Sequence, residues 1–90
     1  MRVGLVGKRA LVTGASQGIG RGIVEVFARL GVRCVTAARR KDILEKHAQE
    51  LIATGGVAPV AIEVDLFEDN AASYLFEQAE SAIGGVDILV

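Results

Sequence analysis

The sequence predicts an α/β protein with a doubly wound parallel sheet, and two observations support this prediction. Short apolar segments alternate with longer segments whose apolar residues recur at helical spacing, in the order β-α-β-α-β-α-β. Such alternation favours parallel strands joined by right-handed helical crossovers. In addition, the apolar run Ala10–Val12 leads into the glycine-rich segment Thr13–Gly20, from which a helical pattern begins. A strand, a glycine turn and a helix start in this order are typical of a dinucleotide-binding βαβ unit.

Seven elements are predicted after a lead-in over residues 1–8. The first strand is apolar without alternation, as expected when both faces of a sheet are covered. Gly31 suits a helix end, and Pro59 suits the entry of a strand, where its missing N–H is tolerated. With approximate bounds, the predicted strands are Arg9–Thr13, Arg33–Ala37, Val60–Val64 and Asp87–Val90, and the predicted helices are Ile19–Leu30, Lys41–Thr54 and Asp69–Ile83.

Each predicted helix has one apolar face. Glycine pairs at 55–56 and 84–85 end the second and third helices, and Asp69 lies near the positive end of the third. The residues expected to face inward are Ile19, Ile23, Val26, Phe27 and Leu30 in the first helix, Leu44, Ala48, Leu51 and Ile52 in the second, and Ala72, Leu75, Phe76, Ala79 and Ile83 in the third.

Composition and charge limit the classes of function. Ninety residues, 51% of them hydrophobic, suit one small domain, and the net charge of −1 favours neither nucleic acid nor an anionic membrane as a partner. Residues 1–41 hold nine Lys/Arg and one acid (+8), whereas residues 42–90 hold one Lys and ten acids (−9). A basic first half suits an anionic ligand; the alternative is chance clustering of solvated side chains.

The single cysteine and the absence of a secretory signal peptide favour a reducing compartment. Cys34 excludes an internal disulfide, and its position in a predicted strand favours a small buried hydrophobe over a reactive thiol. The stretch Met1–Val6 is too short for the apolar part of a signal peptide, and no apolar run approaches the length of a membrane span. We therefore expect a cytoplasmic protein.

The glycines of the turn have separate expected tasks. Gly14 lets the chain turn off the strand, Gly18 lets the backbone approach a pyrophosphate, and Gly20 lets the helix pack close to the strand. The unpaired N–H groups of the helix start form an anion site. Ser16 and Gln17 flank that site, and Ser16 either donates a hydrogen bond to the ligand or simply caps the helix.

The segment Thr13–Gly20, which reads T-G-A-S-Q-G-I-G, resembles the cofactor loop of the short-chain dehydrogenase/reductase family. Further matches in register are Ala10–Val12, Arg39, Val64–Leu66 and Val86–Val90. The resemblance implies a Rossmann-like, doubly wound parallel sheet that is incomplete, with four strands in the order 3-2-1-4 and three helices. Helices 1 and 2 would cover one face and helix 3 the other.

The resemblance also implies a cofactor, NADP. Members that take NAD usually carry an acid at the end of the second strand, where this chain has Ala38 followed by Arg39 and Arg40. A guanidinium can pair with the 2′-phosphate of NADP in a bidentate fork, and Arg39 matches the residue that selects it. Arg40 is a weaker candidate, and the alternative is a solvated basic run. Gln17 departs from many NADP-preferring relatives, which have a basic residue there.

Other roles are implied by the resemblance alone. Asp65 and Leu66 match the pair beside the adenine ring, although a plain loop acid is the alternative for Asp65. Ile19 would pack its side chain and face the ligand with its backbone only, and the Thr13 hydroxyl would brace the loop, unless Thr13 is simply a β-branched strand residue. Asp87 matches an acid that supports the loop and sheet around the adenine pocket, a structural role.

No catalytic or metal-binding set is present in the ninety residues. The family's chemistry uses a Tyr-x-x-x-Lys pair, a Ser and an Asn, but Tyr74 is followed four residues later by Gln78 and is expected on a helix surface. His47 is expected among polar residues, and one histidine does not make a metal site.

We therefore expect residues 1–90 to be the NADP-binding βαβαβαβ half of a Rossmann domain, truncated at strand 4 and inactive and marginally stable by itself. The complete enzyme would transfer hydride between NADP(H) and a carbonyl or secondary alcohol of unknown identity, and would form a homo-oligomer. The alternative is a non-catalytic nucleotide-binding module that docks on a partner chain along strand 4. A further alternative is the extended branch of the superfamily, which usually carries G-x-x-G-x-x-G, a pattern that the spacing of Gly14, Gly18 and Gly20 does not match.

Overall fold

The computed structural model describes residues 5–90, so the first four residues of the predicted lead-in and most of the stretch Met1–Val6 lie outside the described residues. The strands are β1 (Arg9–Thr13), β2 (Arg33–Ala38), β3 (Val60–Glu63) and β4 (Ile88–Leu89), and the helices are α1 (Gly18–Arg29), α2 (Lys41–Ala53) and α3 (Ala71–Ile83). Within this part of the chain, none of the helices is long and apolar enough to cross a bilayer.

The four strands form one parallel sheet in the order β3-β2-β1-β4, which confirms the predicted α/β class and topology. β1 pairs with β2 along its whole length, from Arg9 opposite Arg33 to Thr13 opposite Ala37. In contrast, β4 pairs with β1 only through Ile88 and Leu89. The fourth strand is thus shorter than predicted, although backbone hydrogen bonds from the Asp87 N–H to the Arg9 carbonyl (2.8 Å) and from the Val90 N–H to the Leu11 carbonyl (2.9 Å) flank it.

Alternate residues of the strands face two separate cores. One face of the sheet packs on α1 and α2, with Val12 in contact with the cluster that includes Val24 and Leu44. The other face packs on α3, where Leu11 and Leu75 belong to one buried cluster. This is the predicted division of the helices between the two faces. It follows from the two-residue period of a strand, since neighbouring side chains point to opposite sides.

A third buried cluster, at the amino ends of the strands, contains Ala10, Val32 and Cys34. The Cys34 side chain is buried, and burial raises the pKa of its thiol to about 11. The thiolate is therefore scarce at neutral pH. Cys34 is a small buried hydrophobe, as predicted.

The inward face of α1 agrees with the prediction only in part: Ile23, Phe27 and Leu30 pack against the buried clusters. Val24 and Ala28 are buried, whereas Ile19 is 84% exposed and Val26 lies half-exposed. The reason is the close approach of α1 to the sheet at Gly20. Val24 and Ala28 follow Gly20 at intervals of four, so the contact at Gly20 places them against the sheet. The same contact turns Ile19 and Val26 outward.

The inward faces of α2 and α3 were also partly wrong. In α2, His47 is buried and Ile52 is exposed, because His47 faces α1 and reaches Glu25 there. In α3, the buried residues recur every four positions, as Ala71, Leu75, Ala79 and Ile83, while Ala72 and Phe76 are exposed. The predicted start of this helix at Asp69 was two residues early, because Asn70 adopts the left-handed conformation (φ 61°) and ends the loop.

β4 is held to β1 by side chains at both ends of the short ladder. At the amino end, the Arg9 guanidinium donates to both carboxylate oxygens of Asp87 (Nε–Oδ2 and Nη2–Oδ1, each 3.1 Å), and the Arg9 N–H donates to Oδ2 (2.9 Å). At the carboxyl end, the Thr13 hydroxyl donates to the Val90 carbonyl (3.0 Å). Asp87 is structural, as predicted, but it lies at the opposite edge of the sheet from the glycine turn. Thr13 ties β1 to β4, so the predicted bracing of the loop was wrong.

We expect the Asp87→Asn substitution to lower the Tm at pH 7 by a few degrees and to flatten the acid end of the stability profile. Hydrogen bonds from Arg9 lower the pKa of the Asp87 carboxyl from 3.8 to about 2. The stabilisation is therefore fully present above about pH 4 and is lost as the pH falls from about 4 to about 2. Thermal unfolding followed by circular dichroism between pH 2 and 7 measures both effects.

The matched control is Glu45→Gln, because Glu45 is exposed on α2 and joins none of the salt bridges formed among residues 5–90. An Asp87→Asn profile parallel to that of the unsubstituted protein between pH 2 and 4 would contradict the role given to this ion pair.

Candidate functional site

A groove of about 410 Å³ lies where the loops after β1, β2 and β3 meet. The carboxyl ends of parallel strands lie at one edge of a sheet, which is where open α/β sheets bind ligands. Seven of the ten residues predicted to contact a cofactor line this groove, namely Gly14, Ser16, Gln17, Arg39, Arg40, Asp65 and Leu66. Three elements distant in the sequence thus bring their predicted site residues together. The other three residues, Gly18, Ile19 and Gly20, lie in the first turn of α1.

The glycine turn has the geometry that its sequence predicts. Gly14 has a φ of 61°, which lets the chain leave β1 sharply. A Cβ on Gly20 would lie 2.5 Å from the Gly14 carbonyl oxygen, so only glycine permits this approach of α1 to the turn. A Cβ on Gly18 would meet no atom within 4 Å, and its φ is 62°. Gly18 therefore leaves open space beside the start of α1.

The amino end of α1 has no side-chain cap. Gln17 occupies the cap position in an extended conformation, without a side-chain hydrogen bond to the helix, and α1 has no acid in its first turn. Ser16 lies in the groove wall and does not cap the helix, so the capping alternative is not observed. The first N–H groups of α1 and its partial positive charge are consequently available to an anion.

The side chain of Ile19 does not pack within the described chain. It is 84% exposed, so the expectation that it packs was wrong. Because Gly20 faces the turn, its neighbour Ile19 is rotated about 100° around the helix axis, away from the sheet. An isoleucine in this position offers an apolar surface beside the glycine turn.

The two arginines after β2 differ in whether their guanidinium groups are paired with a carboxylate. Arg40 donates to both oxygens of Asp42, from Nε to Oδ1 (3.0 Å) and from Nη2 to Oδ2 (2.8 Å). These hydrogen bonds lower the pKa of the Asp42 carboxyl. Arg39 is exposed at the groove and takes part in none of the salt bridges within residues 5–90. Arg39 is thus the arginine whose guanidinium is available to a ligand.

The loop after β3 forms the opposite wall. One Asp65 carboxylate oxygen accepts the Phe67 N–H (3.0 Å), and the Asp65 carbonyl accepts the Glu68 N–H (3.0 Å), which makes a tight turn. This turn leaves Leu66 half-exposed and Phe67 95% exposed at the groove. Phe67 was not predicted as a site residue, although a large apolar side chain in a polar loop is a recognisable signal.

Four further residues line the groove, namely Ala37, Ala38, Ile43 and Val64. The first two end β2 and are small. Ala38 and Val64 were already noted through the family resemblance, whereas no pattern in the sequence distinguishes Ala37 or Ile43 from core residues, so these two could be found only from the fold.

A second hollow, of about 550 Å³, lies on the other side of Arg39. Its lining includes the acids Glu63, Glu68 and Asp69, as well as Asp65. An anion would be repelled there, because like charges at short range raise its free energy. The electrostatics therefore favour the glycine side of Arg39 for a phosphate-bearing ligand.

Neither His47 nor Tyr74 forms part of the groove. His47 is buried, although it was not among the residues expected to face inward, and its Nε2 lies 3.2 Å from Glu25 Oε1, a polar neighbour on α1. Tyr74 is half-exposed on the surface of α3, beside the acidic hollow. Within residues 5–90, no group of three His, Cys, Asp or Glu side chains is arranged to hold a metal ion.

Known proteins match nearly all of this chain. The family model described as short chain dehydrogenase matches residues 8–90. A short chain dehydrogenase of Pseudocercospora fijiensis is 43% identical over 86 residues, which are 96% of this chain and 28% of that protein. The structure of L-sorbose reductase from Gluconobacter frateurii, complexed with NADPH and L-sorbose, matches with 38% identity and a TM-score of 0.89, over 99% of this chain and 34% of that one.

A second solved structure carries the other nicotinamide cofactor. The 3-ketoacyl-(acyl-carrier-protein) reductase from Brucella melitensis, complexed with NADH, is 38% identical with a TM-score of 0.82, over 94% of this chain and 33% of that one. The present chain spans about a third of the length of these relatives.

We expect Gly20→Ala to destabilise the protein by about 1–3 kcal/mol, because the added methyl group overlaps the Gly14 carbonyl. Gly22→Ala is the matched control: Gly22 lies two residues further along α1, and its added methyl would meet no atom within 4 Å. That substitution should stabilise the protein by about 0.5–1 kcal/mol, since alanine is the better helix former. Urea unfolding measures both. Equal midpoints for the two variants would show that α1 does not depend on this contact.

Proposed function

Because this chain belongs to the short-chain dehydrogenase/reductase family, we propose that it is the NADP(H)-binding part of an oxidoreductase. Residues 1–90 would form the βαβαβαβ half of the Rossmann domain, with the glycine turn at the pyrophosphate and the loops after β2 and β3 at the adenosine. The complete enzyme would transfer hydride between the cofactor and a carbonyl or secondary alcohol.

The glycine turn supports the pyrophosphate site. The side of Gly18 is open, and the amino end of α1 has neither a side-chain cap nor an acid in its first turn. Backbone N–H groups in such a place donate to phosphate oxygens without any side chain in the way. Ser16 and Gln17 flank the same opening and can add polar contacts.

The observation that carries the choice of NADP is the environment of Arg39. Ala38 occupies the position where an acid would bind the ribose of NAD, and the next residue, Arg39, lines the groove without a salt-bridge partner among residues 5–90. A hydrogen bond to a charged group contributes roughly 1.5–3 kcal/mol, which corresponds to roughly a 10- to 100-fold preference for NADP. One solved relative holds NADPH and another NADH, so the residues of the chain, not the family, must make this choice.

The adenosine would lie between the loops after β2 and β3. Asp65 and Leu66 would flank the adenine ring, with Arg39 across the groove. The nicotinamide would supply the hydride, and the role of these residues is to bind and orient the cofactor. The catalytic groups of the complete enzyme would come from beyond these ninety residues, and the isolated segment would be inactive. By the same resemblance the complete enzyme would be a homo-oligomer, and the single cysteine suits a cytoplasmic location.

A second candidate function is a non-catalytic nucleotide-binding module that docks on a partner along β4. The apolar side chains of Leu89 and Val90 are exposed at that edge, which favours some covering surface. A continuation of the coding sequence that carries Tyr-x-x-x-Lys would favour the enzyme. A stable complex of the 90-residue chain with another protein would favour the module.

We expect Arg39→Ala to weaken NADPH binding about 10- to 100-fold and to leave NADH binding nearly unchanged, because only NADPH carries the 2′-phosphate. Arg39→Asp should reverse the preference, since its carboxylate repels the phosphate and suits the ribose hydroxyls. Isothermal titration with each cofactor on the full-length protein measures both affinities.

The control is Arg29→Ala, which removes an exposed arginine in the last turn of α1 and should leave both affinities unchanged. Unaltered NADPH affinity in Arg39→Ala would refute the assignment of this residue. Equal loss of NADPH and NADH affinity would point instead to a contact with the common part of the cofactor.

A further inference from the structure

The guanidinium of Arg40 borders the groove but is held by Asp42. The two hydrogen bonds, 3.0 Å from Nε and 2.8 Å from Nη2, take the pair of parallel N–H donors on one edge of the planar group. This edge is the fork that binds a carboxylate or phosphate through two oxygens. The two side chains are otherwise well solvated, at 67% and 66% exposure. Arg40 therefore lies beside the groove with one bidentate edge already occupied.

Asp42 also acts on the groove through its charge. It lies in the first turn of α2, directly after the two arginines, and is the acid of that turn. A carboxylate there offsets the partial positive charge of the helix start and opposes a phosphate bound nearby. Asp42 thus weakens the binding of an anionic ligand in two ways, because it occupies Arg40 and because it carries a negative charge itself.

We propose that Asp42 is a positioning residue that withholds Arg40 from the 2′-phosphate and thereby limits the preference of the groove for phosphorylated adenosine. The recognition of the phosphate then rests on Arg39 alone. This inference depends on the proposed function, since it concerns the same adenosine end of the groove. The ligand group concerned is a phosphate monoester on the ribose of an adenine nucleotide.

The ion pair between Arg40 and Asp42 can be removed by one substitution because both side chains are exposed. Solvated ion pairs contribute little to stability, so removal of Asp42 should release Arg40 without loss of the fold. The released guanidinium is then close enough in sequence and space to join Arg39 at the phosphate, as both residues line the groove. One added charge-assisted hydrogen bond at a solvated position should tighten binding by about 3- to 10-fold.

A double-mutant cycle tests the proposal on the full-length protein. The variants are Asp42→Asn, Arg40→Ala and the two combined, and the probes are adenosine 2′,5′-bisphosphate and adenosine 5′-monophosphate, which differ only in the 2′-phosphate. Asp42→Asn should tighten the bisphosphate by about 3- to 10-fold and leave the monophosphate within about twofold. Arg40→Ala alone should change either affinity by less than about twofold, because Arg40 is already engaged by Asp42. In the double variant, compared with Arg40→Ala, most of the gain should disappear, and only the smaller part due to the charge of Asp42 itself should remain.

Conservative variants complete the test. Asp42→Glu retains a carboxylate and should keep the original affinities, whereas Asp42→Ser, with a residue suited to helix starts, should repeat the effect of Asp42→Asn. Agreement between Asp42→Ser and Asp42→Asn would exclude a folding defect in Asp42→Asn as the cause of the effect.

The outcomes separate the two proposals. If the unsubstituted protein fails to prefer the bisphosphate, the assignment of NADP is overturned, and the role of Asp42 with it. If the preference is present but Asp42→Asn and Asp42→Ser do not increase it, only the role of Asp42 is overturned. If the whole gain persists in the double variant, Asp42 acts on the phosphate through its charge alone, and positioning through Arg40 is excluded.

Discussion

The structure depends on how closely α1 approaches the end of β1. At Gly20 the helix touches the carbonyl of Gly14, a distance that leaves no room for a side chain. This contact sets the rotation of α1, which is why Val24 faces the sheet and Ile19 faces solvent. It also places the uncapped amino end of the helix at the mouth of the groove. One steric constraint thus fixes both the packing of the first crossover and the position of the anion site.

The two hollows beside Arg39 differ in the charge of the groups that line them. The side formed by the glycine turn and the first turn of α1 presents N–H groups, whereas the side formed by the start of α3 presents carboxylates. Arg39 stands between them, and Arg40, one residue later, is paired with Asp42. Two adjacent arginines that look equivalent in the sequence therefore differ in what they offer to a ligand.

Much of the fold could be predicted from the sequence, because apolar runs, helical periods and glycine positions are local signals. Strand order and the gathering of the groove residues came from the family resemblance, and the structure agrees with both. Details that depend on three-dimensional contacts could not be predicted. The inward face of α1 was predicted only in part: Ile23, Phe27 and Leu30 pack on the core, but Ile19 and Val26 lie on the side that the glycine contact turns outward. His47 was misjudged because its partner Glu25 lies on another helix.

The Arg9–Asp87 pair has a consequence for the order in which the chain assembles. The two residues are 78 positions apart, and β4 adds only two residue pairs to the ladder. Contacts of such long separation form late, because closure of a long loop costs entropy before the contact is made. β1, β2 and β3, joined through α1 and α2, can form first as a shorter unit that already contains the groove. β4 then docks last, and its backbone amides should be among the first in the sheet to exchange with solvent deuterium.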